Sequence, residues 1–406
     1  MSGSVLTLNA GSSSLKIALF RPDDEQPIAT GMADRIGGDC VLTVKDASGT
    51  ILSERRGAAL QGATHEAVLQ ALVTILTEVR LAQDIAAVGH RVVHGGLVFT
   101  TPTLVDDDVL SQLAALEPFA PLHQPHNLAG IRAAQRAFPD ALQIACFDTA
   151  FHRSHPFVND VFALPRALYD EGVRRYGFHG LSYEYVTQKL AILRPELHAG
   201  RVIICHLGNG ASACAVHDGQ SIASTMGFSA LDGLPMGTRC GQLDPGVMLY
   251  LLQQKKMTPD AISDLLYKQS GLLGLSGLSN DMRVLEASDD PAAKAAFDYF
   301  VFRIRREIGG LAASLGGLDA LIFCGGIGEN SRLIRARVCS DMEWLGIAID
   351  PVRNASNETI LSAQLSPVAI MMIPTNEEIV IARAAFGMID RQKALRLRGQ
   401  GDLPPL

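Results

Sequence analysis

Apolar residues along this chain fall into two spacings. Runs at 5–8, 86–93, 142–147, 202–205, 320–324 and 368–373 are strand-length, and each stops at a polar or glycine-bearing turn. Segments 65–81, 182–193, 259–267 and 291–315 carry helix-period apolar positions and predict helices. Strands interleaved with helices make an α/β fold the expectation. Near the end, Thr375 stands three residues before Glu378, a capping-box spacing that predicts a helix running to about Lys393. Glu377 and Glu378 would then occupy its first turn, where carboxylates favour the helix dipole. The closing GQGDLPPL reads as a tail.

One stretch occurs twice. VLTLNAGSSSLKIAL begins at Val5 and VIICHLGNGASACAV at Val202, and each is an apolar strand, a small-residue turn with glycine, and a second apolar strand. Gly208 follows Gly11 by 197 residues, an offset that pairs Asn9 with His206 and Ser12 with Asn209. Two related halves facing one cleft is the economical explanation; two unrelated hairpins that look alike is the bland one.

Length also favours two domains, because 406 residues exceed what one hydrophobic core usually holds. The chain is 48% apolar and 19% charged, ample for buried cores. A net charge of −7 argues against nucleic acid as the main partner, although local arginines can still hold a small anion. Seven scattered cysteines without a Cys-x-x-Cys pair fit reduced thiols in a cytosolic protein. MSGSVLTLNAG lacks the basic and long apolar regions of a signal peptide. No apolar stretch reaches the roughly 18 residues of a membrane span, so a soluble cytoplasmic protein is expected.

Candidate chemistry gathers at strand ends. Close approach of backbone N–H groups to phosphate oxygens needs residues without a bulky Cβ, helped by hydroxyls and a lysine. Asn9-Ala-Gly-Ser-Ser-Ser-Leu-Lys16, His206-Leu-Gly-Asn-Gly210 and Gly325-Gly-Ile-Gly-Glu-Asn330 meet that need as turns following apolar strands. None is GxxxxGK(S/T), which excludes a Walker loop, and none has the GxGxxG layout of an NAD-dependent oxidoreductase. Arg91 lies between apolar residues of GHRVVHGG, on one strand face with Val93, where it is costly unless it meets an anion. A structural ion pair would satisfy it too. His90 and His94 are four apart, but on a strand and without a zinc-protease glutamate, so no zinc site is expected. Asp148 follows the 142–147 run, and His179 and Arg239 occupy the glycine-flanked turns YGFHG and GTRCG. Arginine's planar, permanently charged fork suits phosphate. Taken singly, Asp148, His179 and Arg239 are each as readily structural as functional.

Together these motifs resemble the acetate kinase family, in order and over nearly the whole chain. They are NAGSSSLK from Asn9, GHRVVHGG from Gly89, APLH from Ala120, FDTAFH from Phe147, RRYGFHG from Arg174, HLGNGAS from His206, MGTR from Met236, GGIGEN from Gly325 and PTNEE from Pro374. The resemblance implies two duplicated actin-like (ribonuclease H-like) domains flanking a nucleotide cleft, 1–149 with a helix returning at 380–406, and 150–379. It implies reversible phosphoryl transfer between ATP and acetate, giving ADP and acetyl phosphate, with Mg2+ (or Mn2+) as cofactor. It also implies a homodimer, with no nucleic-acid or membrane partner.

By similarity, Arg91 and Arg239 bracket the carboxylate and the transferring phosphoryl group, and His179 stabilises its charge. Asp148 falls on a position read as acid/base or acetate-orienting. A carboxylate nucleophile is already ionised at pH 7, so orientation of Arg91 or of the metal is the expected role. Asn9 and Glu377 fall on magnesium positions. Ser12, Ser14 and Lys16 fall on nucleotide-contacting positions, as do His206, Leu207, Gly208, Asn209 and Gly210. The same holds for Asp281, Met282 and Arg283, and for Gly326, Ile327, Gly328, Glu329 and Asn330. Val93, Leu122, Phe178 and Ala230, with Arg91, fall on the acetyl pocket.

The chain departs from the pattern at a few places. Ala230 replaces a proline of that pocket, Leu181 and Tyr183 replace a threonine and a histidine, and Gln242 replaces an aspartate. Loss of the proline ring is expected to enlarge the pocket and broaden the acid range. The nearest alternative is a propionate or other short-chain carboxylate kinase of the same family. A non-catalytic nucleotide-binding protein of the superfamily is the remote one.

Overall fold

Four successive buried residues, Val5, Leu6, Thr7 and Leu8, demand a strand covered on both faces and flanked on both edges. The computed structural model supplies that setting; it describes residues 3–11, 14–57, 60–79, 81 and 84–399, with side chains up to 395. Contacts divide the chain into two units, Met1–Ala150 with Asn376–Leu406, and Phe151–Thr375.

In the first unit the strands are β1 (Ser4–Ala10), β2 (Ser14–Phe20), β3 (Ala29–Asp34), β4 (Val41–Asp46), β5 (Ile51–Arg55), β6 (Ile85–Val92), β7 (Thr103–Leu104) and β8 (Leu142–Phe147). They form one sheet in the order β5-β4-β3-β2-β1-β6-β8-β7. β1 to β5 are antiparallel neighbours, whereas β6 runs parallel to β1 and β8 parallel to β6. Helix His65–Glu78 starts at Thr64, whose side chain accepts from Ala67 N. It buries Val68, Leu69, Leu72, Ile75 and Leu76, a single helical stripe, in one cluster with Leu6, Leu8, Ile17 and Leu42 of the sheet. Helix Glu377–Gly399 packs on β6, β1 and β8. Gly89 permits its approach: a Cβ there would lie 2.4 Å from Cγ2 of Ile381.

The second unit repeats this plan. Its strands are β9 (Arg201–Leu207), β10 (Ala211–His217), β11 (Gln220–Ser224), β12 (Ala320–Cys324) and β13 (Ala369–Met372), in the order β11-β10-β9-β12-β13. β9, β10 and β11 are antiparallel, and β12 and β13 continue parallel to β9. The core of the first sheet, β3-β2-β1-β6-β8, has the same order and the same directions. The offset of 197 read from the glycines carries Ser4–Ala10 onto Arg201–Leu207 and Ser14–Phe20 onto Ala211–His217. The duplicated actin-like fold expected from the sequence is therefore present. Helix Pro291–Leu315 matches its expected bounds, with Asp290 capping the start, Pro291 at the first position and Gly316 at φ 71° closing the end.

Three local expectations change. The glycine segment Gly325–Asn330 is a short helix, not an open turn. Its Glu329 carboxylate accepts from Gly325 N at 2.9 Å, and Asn330 Nδ2 donates to Gly326 O at 2.8 Å. The last helix is capped by Asn376, not Thr375: Asn376 Oδ1 accepts from Ile379 N at 3.1 Å. Thr375 is engaged elsewhere, its N–H on Glu329 and its hydroxyl on Ser182. That helix also continues past Lys393 to Gly399. Position Ser12 and the tail at 400–406 lie outside the described residues. Among the described residues no cysteine forms a disulfide, and no helix is long and apolar enough to cross a membrane.

Candidate functional site

In the first unit, parallel pairing of β6 and β8 sets Arg91 opposite Cys146, so Asp148, just past β8, lies beside the end of β6. The N–H of Asp148 donates to Val92 O at 3.0 Å. Arg91 Nε donates to Asp148 Oδ1 at 3.0 Å and Nη2 to Oδ2 at 2.7 Å, a two-point grip. Nη1 of Arg91 meets Glu377 Oε2 at 3.0 Å, from the first turn of the last helix. Asp148 is 2% exposed and Glu377 14%, so these are largely desolvated charges. The costly arginine of the strand pattern has met its anions, and they are protein carboxylates.

The charge balance is uneven. Burial pushes the Glu377 carboxyl up to about 7; Arg91 opposes that rise, Asp148 and Glu378 add to it, and Lys16 opposes it. Burial alone would lower Arg91, but Asp148 and Glu377 more than reverse this and leave it raised. Lys16, on β2, pairs in register with Asn9 at the end of β1. Three acids thus face two cations near the strand end that carries Asn9. Among the described residues no cluster of three or more His, Cys, Asp or Glu side chains forms a metal cage. Mg2+ needs none when it is held by one or two carboxylates with phosphate oxygens, and an under-neutralised Glu377 is suited to that.

Val93 and Leu122 belong to this unit. Val93 lies one residue beyond β6 and its N–H donates to Asn127 Oδ1 at 3.0 Å. Asn127 Nδ2 in turn donates to Ala10 O at 2.9 Å, tying the ends of β1 and β6 together. Nothing in the sequence pattern of helix Gln124–Ala137 marked that residue. Leu122 is half-buried before the helix. Ser14 opens β2, and its carbonyl accepts from Gly11 N at 2.9 Å.

The second unit collects His179, Arg239 and the β9–β10 turn. His179 has φ 58°, an unusual value for a non-glycine residue, and stands at the start of helix Gly180–Leu193. Its ring stacks on His206 with centroids 4.3 Å apart. His206 is the penultimate residue of β9, next to buried Leu207, and its Nδ1 is 2.8 Å from Ser182 Oγ. Gly208 N donates to Gly210 O at 3.0 Å, and Gly237 N to Asn209 O at 3.0 Å, which fixes the turn beside MGTR. Gly210 leaves room for two side chains: a Cβ would lie 2.7 Å from Arg239 Nη2 and 3.2 Å from His179 Nε2. The guanidinium and the imidazole therefore converge on one small patch of backbone.

Arg239 Nη1 donates to Ala230 O at 2.8 Å. Burial lowers Arg239, with only Tyr267 opposing, and among the described residues no carboxylate pairs with it. A desolvated guanidinium without a counter-ion, next to a histidine, is a ready receptor for an anion. Phe178 is buried and precedes His179, so Phe178 and Ala230 of the expected acetyl pocket both belong to this unit.

The remaining expected nucleotide contacts are also in the second unit. Cys324 of β12 pairs with His206, which brings Gly325–Asn330 beside the β9–β10 turn; Gly326 is exposed and Gly328 buried. The Glu329 side chain is committed to Gly325 N and Thr375 N, so it braces this segment. Asp281 caps helix Met282–Glu286 and pairs with exposed Arg283, while Met282 points into the core.

Sequence comparison places these features among known proteins. The profile of the acetokinase family matches residues 4–383. An acetate kinase of Methylocella silvestris is 54% identical over 403 residues, covering 97% of this chain and 100% of its own. The crystal structure of a propionate kinase from Francisella tularensis superposes with a TM-score of 0.89 at 39% identity, over 94% of this chain and 98% of that one. That of Porphyromonas gingivalis acetate kinase gives 0.87 at 34% identity, over 95% and 100%.

Proposed function

The chain belongs to the acetokinase family, and we propose that it transfers a phosphoryl group reversibly between ATP and acetate, directly and in line. The observation that carries this reading is Arg239: a half-buried guanidinium with no carboxylate partner among the described residues, converging with His179 on Gly210.

Phosphoryl transfer spreads charge over equatorial oxygens, so catalysis needs positioned donors more than a strong base. Arg239 and His179 are assigned to that charge. Arg91 is assigned to the acceptor carboxylate; Val93 and Leu122 of the first unit, and separately Phe178 and Ala230 of the second, are assigned to its alkyl group. An acetate oxygen is ionised at pH 7 and attacks without losing a proton. Asp148 is accordingly assigned to holding Arg91, which its two-point grip supports. Asn9 and Glu377 would hold Mg2+, which when bound neutralises phosphate charge. The first unit carries Arg91, Val93, Leu122 and the metal residues, and the second carries Phe178 and Ala230 and is assigned the nucleotide along His206–Gly210, Asp281–Arg283 and Gly326–Asn330.

A homodimer and a cytoplasmic location complete the proposal. Helix Pro245–Gln253 is rich in leucine yet buries no residue within the chain, with Val247, Leu249 and Tyr250 exposed. A sedimentation mass of twice 43.4 kDa checks the dimer.

Trapping the acyl phosphate as its hydroxamate, with acetate, propionate and butyrate and with and without Mg2+, tests the function. Mg2+-dependent acetyl hydroxamate is expected. Product from propionate but not acetate would favour a propionate kinase, and none at all would sink the enzymatic reading.

A further inference from the structure

Behind His179 runs a short buried chain of hydroxyls. His179 Nδ1 lies 2.8 Å from Ser212 Oγ, and Ser212 Oγ lies 2.5 Å from the phenol oxygen of Tyr183. Tyr183 and Ser212 are both fully buried. The Tyr183 ring is fixed edge-on against His152, with centroids 5.6 Å apart, and stacks on Phe151. Burial raises the phenol well above its ordinary value, so it keeps its proton.

The direction of the chain follows from counting protons. Among the described residues, Ser212 Oγ is the one acceptor within hydrogen-bond reach of the Tyr183 hydroxyl. If Ser212 donated to Tyr183, the phenol hydrogen would be buried without an acceptor, a costly arrangement. If Tyr183 donates to Ser212, the serine hydrogen is released to donate to Nδ1 of His179, and every proton is satisfied. A donor at Nδ1 leaves the ring hydrogen on Nε2. Nε2 is the nitrogen that converges with Arg239 on Gly210.

We propose that Tyr183 is a positioning residue which, through Ser212, locks His179 as the neutral tautomer carrying its proton on Nε2. The lock gives the transferring phosphoryl group a hydrogen-bond donor where the opposite tautomer would present a repelling lone pair. This role rests on the functional reading above.

Nitrogen-15 NMR of the full-length protein tests it, with the His179 signal assigned by its loss in His179→Gln. The wild type is expected to show the Nε2–H tautomer, and Tyr183→Phe a mixture containing Nδ1–H. In kinetics, Tyr183→Phe should lower kcat by about 3- to 10-fold, the worth of one hydrogen bond, with KM for ATP and acetate unchanged. In a Ser212→Ala background it should cost nothing further, because the relay is already cut. If Tyr183→Phe does not fold, the tautomer in Ser212→Ala gives the same reading. A wild-type Nδ1–H tautomer, or a tautomer unmoved by both substitutions, overturns the proposal. Lack of kinase activity would overturn the functional reading instead and leave the tautomer result standing.

Discussion

Arg91 and Asp148 are joined by two hydrogen bonds, Nε to Oδ1 at 3.0 Å and Nη2 to Oδ2 at 2.7 Å, with the carboxylate only 2% exposed. The pair leaves Nη1 directed at Glu377 and fixes the plane of the guanidinium. Asp148 thereby has both oxygens committed to a cation, a poor disposition for a group that must exchange protons.

Asp148→Asn keeps the shape and removes the charge. It should reduce kcat by about 100-fold or more, the usual cost of losing a preorganised electrostatic contact. The acidic limb of the pH–rate profile should stay where it is. A large displacement of that limb would instead identify Asp148 as a proton carrier.

Gly210→Ala places a methyl group 2.7 Å from Arg239 Nη2 and 3.2 Å from His179 Nε2. Both side chains must shift, and a misplacement near 1 Å costs about 100-fold in rate. Steady-state kinetics beside a thermal melt separate this from unfolding. A variant with unchanged kcat would mean that the convergence of Arg239 and His179 on Gly210 has no catalytic importance.

Ala230→Pro adds ring atoms at the position proposed to face the acceptor's alkyl group while keeping the carbonyl that receives Arg239 Nη1. One methylene of discrimination is worth about 1–3 kcal/mol. The ratio of kcat/KM for propionate to that for acetate should therefore drop by at least about 10-fold. An unchanged ratio removes Ala230 from the determinants of acid size.

Glu377 governs a pH dependence of stability. Its folded value near 7 lies above the ordinary 4.5, so between those values the native state holds a proton that the unfolded chain has lost. Without divalent cations, stability should fall as pH rises through this window and level off above it. Glu377→Gln should flatten the slope and be more stable than wild type at pH 8 by on the order of 1–3 kcal/mol. Urea unfolding at a series of pH values measures this. An equally steep slope in the variant would assign the effect to another group.

Much of this architecture was legible because local signals agreed with the fold. Asp290, Pro291 and Gly316 bound helix Pro291–Leu315 by capping chemistry alone, and all-apolar runs such as 320–324 can only be interior strands. The repeated hairpin was visible because each copy needs the same small residues at its turn. Thr375 and Asn376 are adjacent and equally good caps by composition; tertiary partners on Glu329 and Ser182 decided between them. Helix Gly325–Asn330 escaped notice because glycine is a poor helix former, and its support comes from the side chains of Glu329 and Asn330. At the site, Arg91 was conspicuous as a charge in an apolar strand. Ser212 was not, since a serine among small residues reads as ordinary core, and Tyr183 stood out only as a departure from the family pattern, not as a site residue.

The most direct test of carboxylate phosphorylation follows the oxygen atoms. With acetate labelled at both oxygens with 18O, attack on the γ-phosphorus of ATP places one labelled oxygen in the bridge of acetyl phosphate. Hydroxylamine then attacks the carbonyl carbon and expels that oxygen with the phosphate. Mass spectrometry should find inorganic phosphate carrying one 18O. Label in AMP, or phosphate with none, would contradict the account.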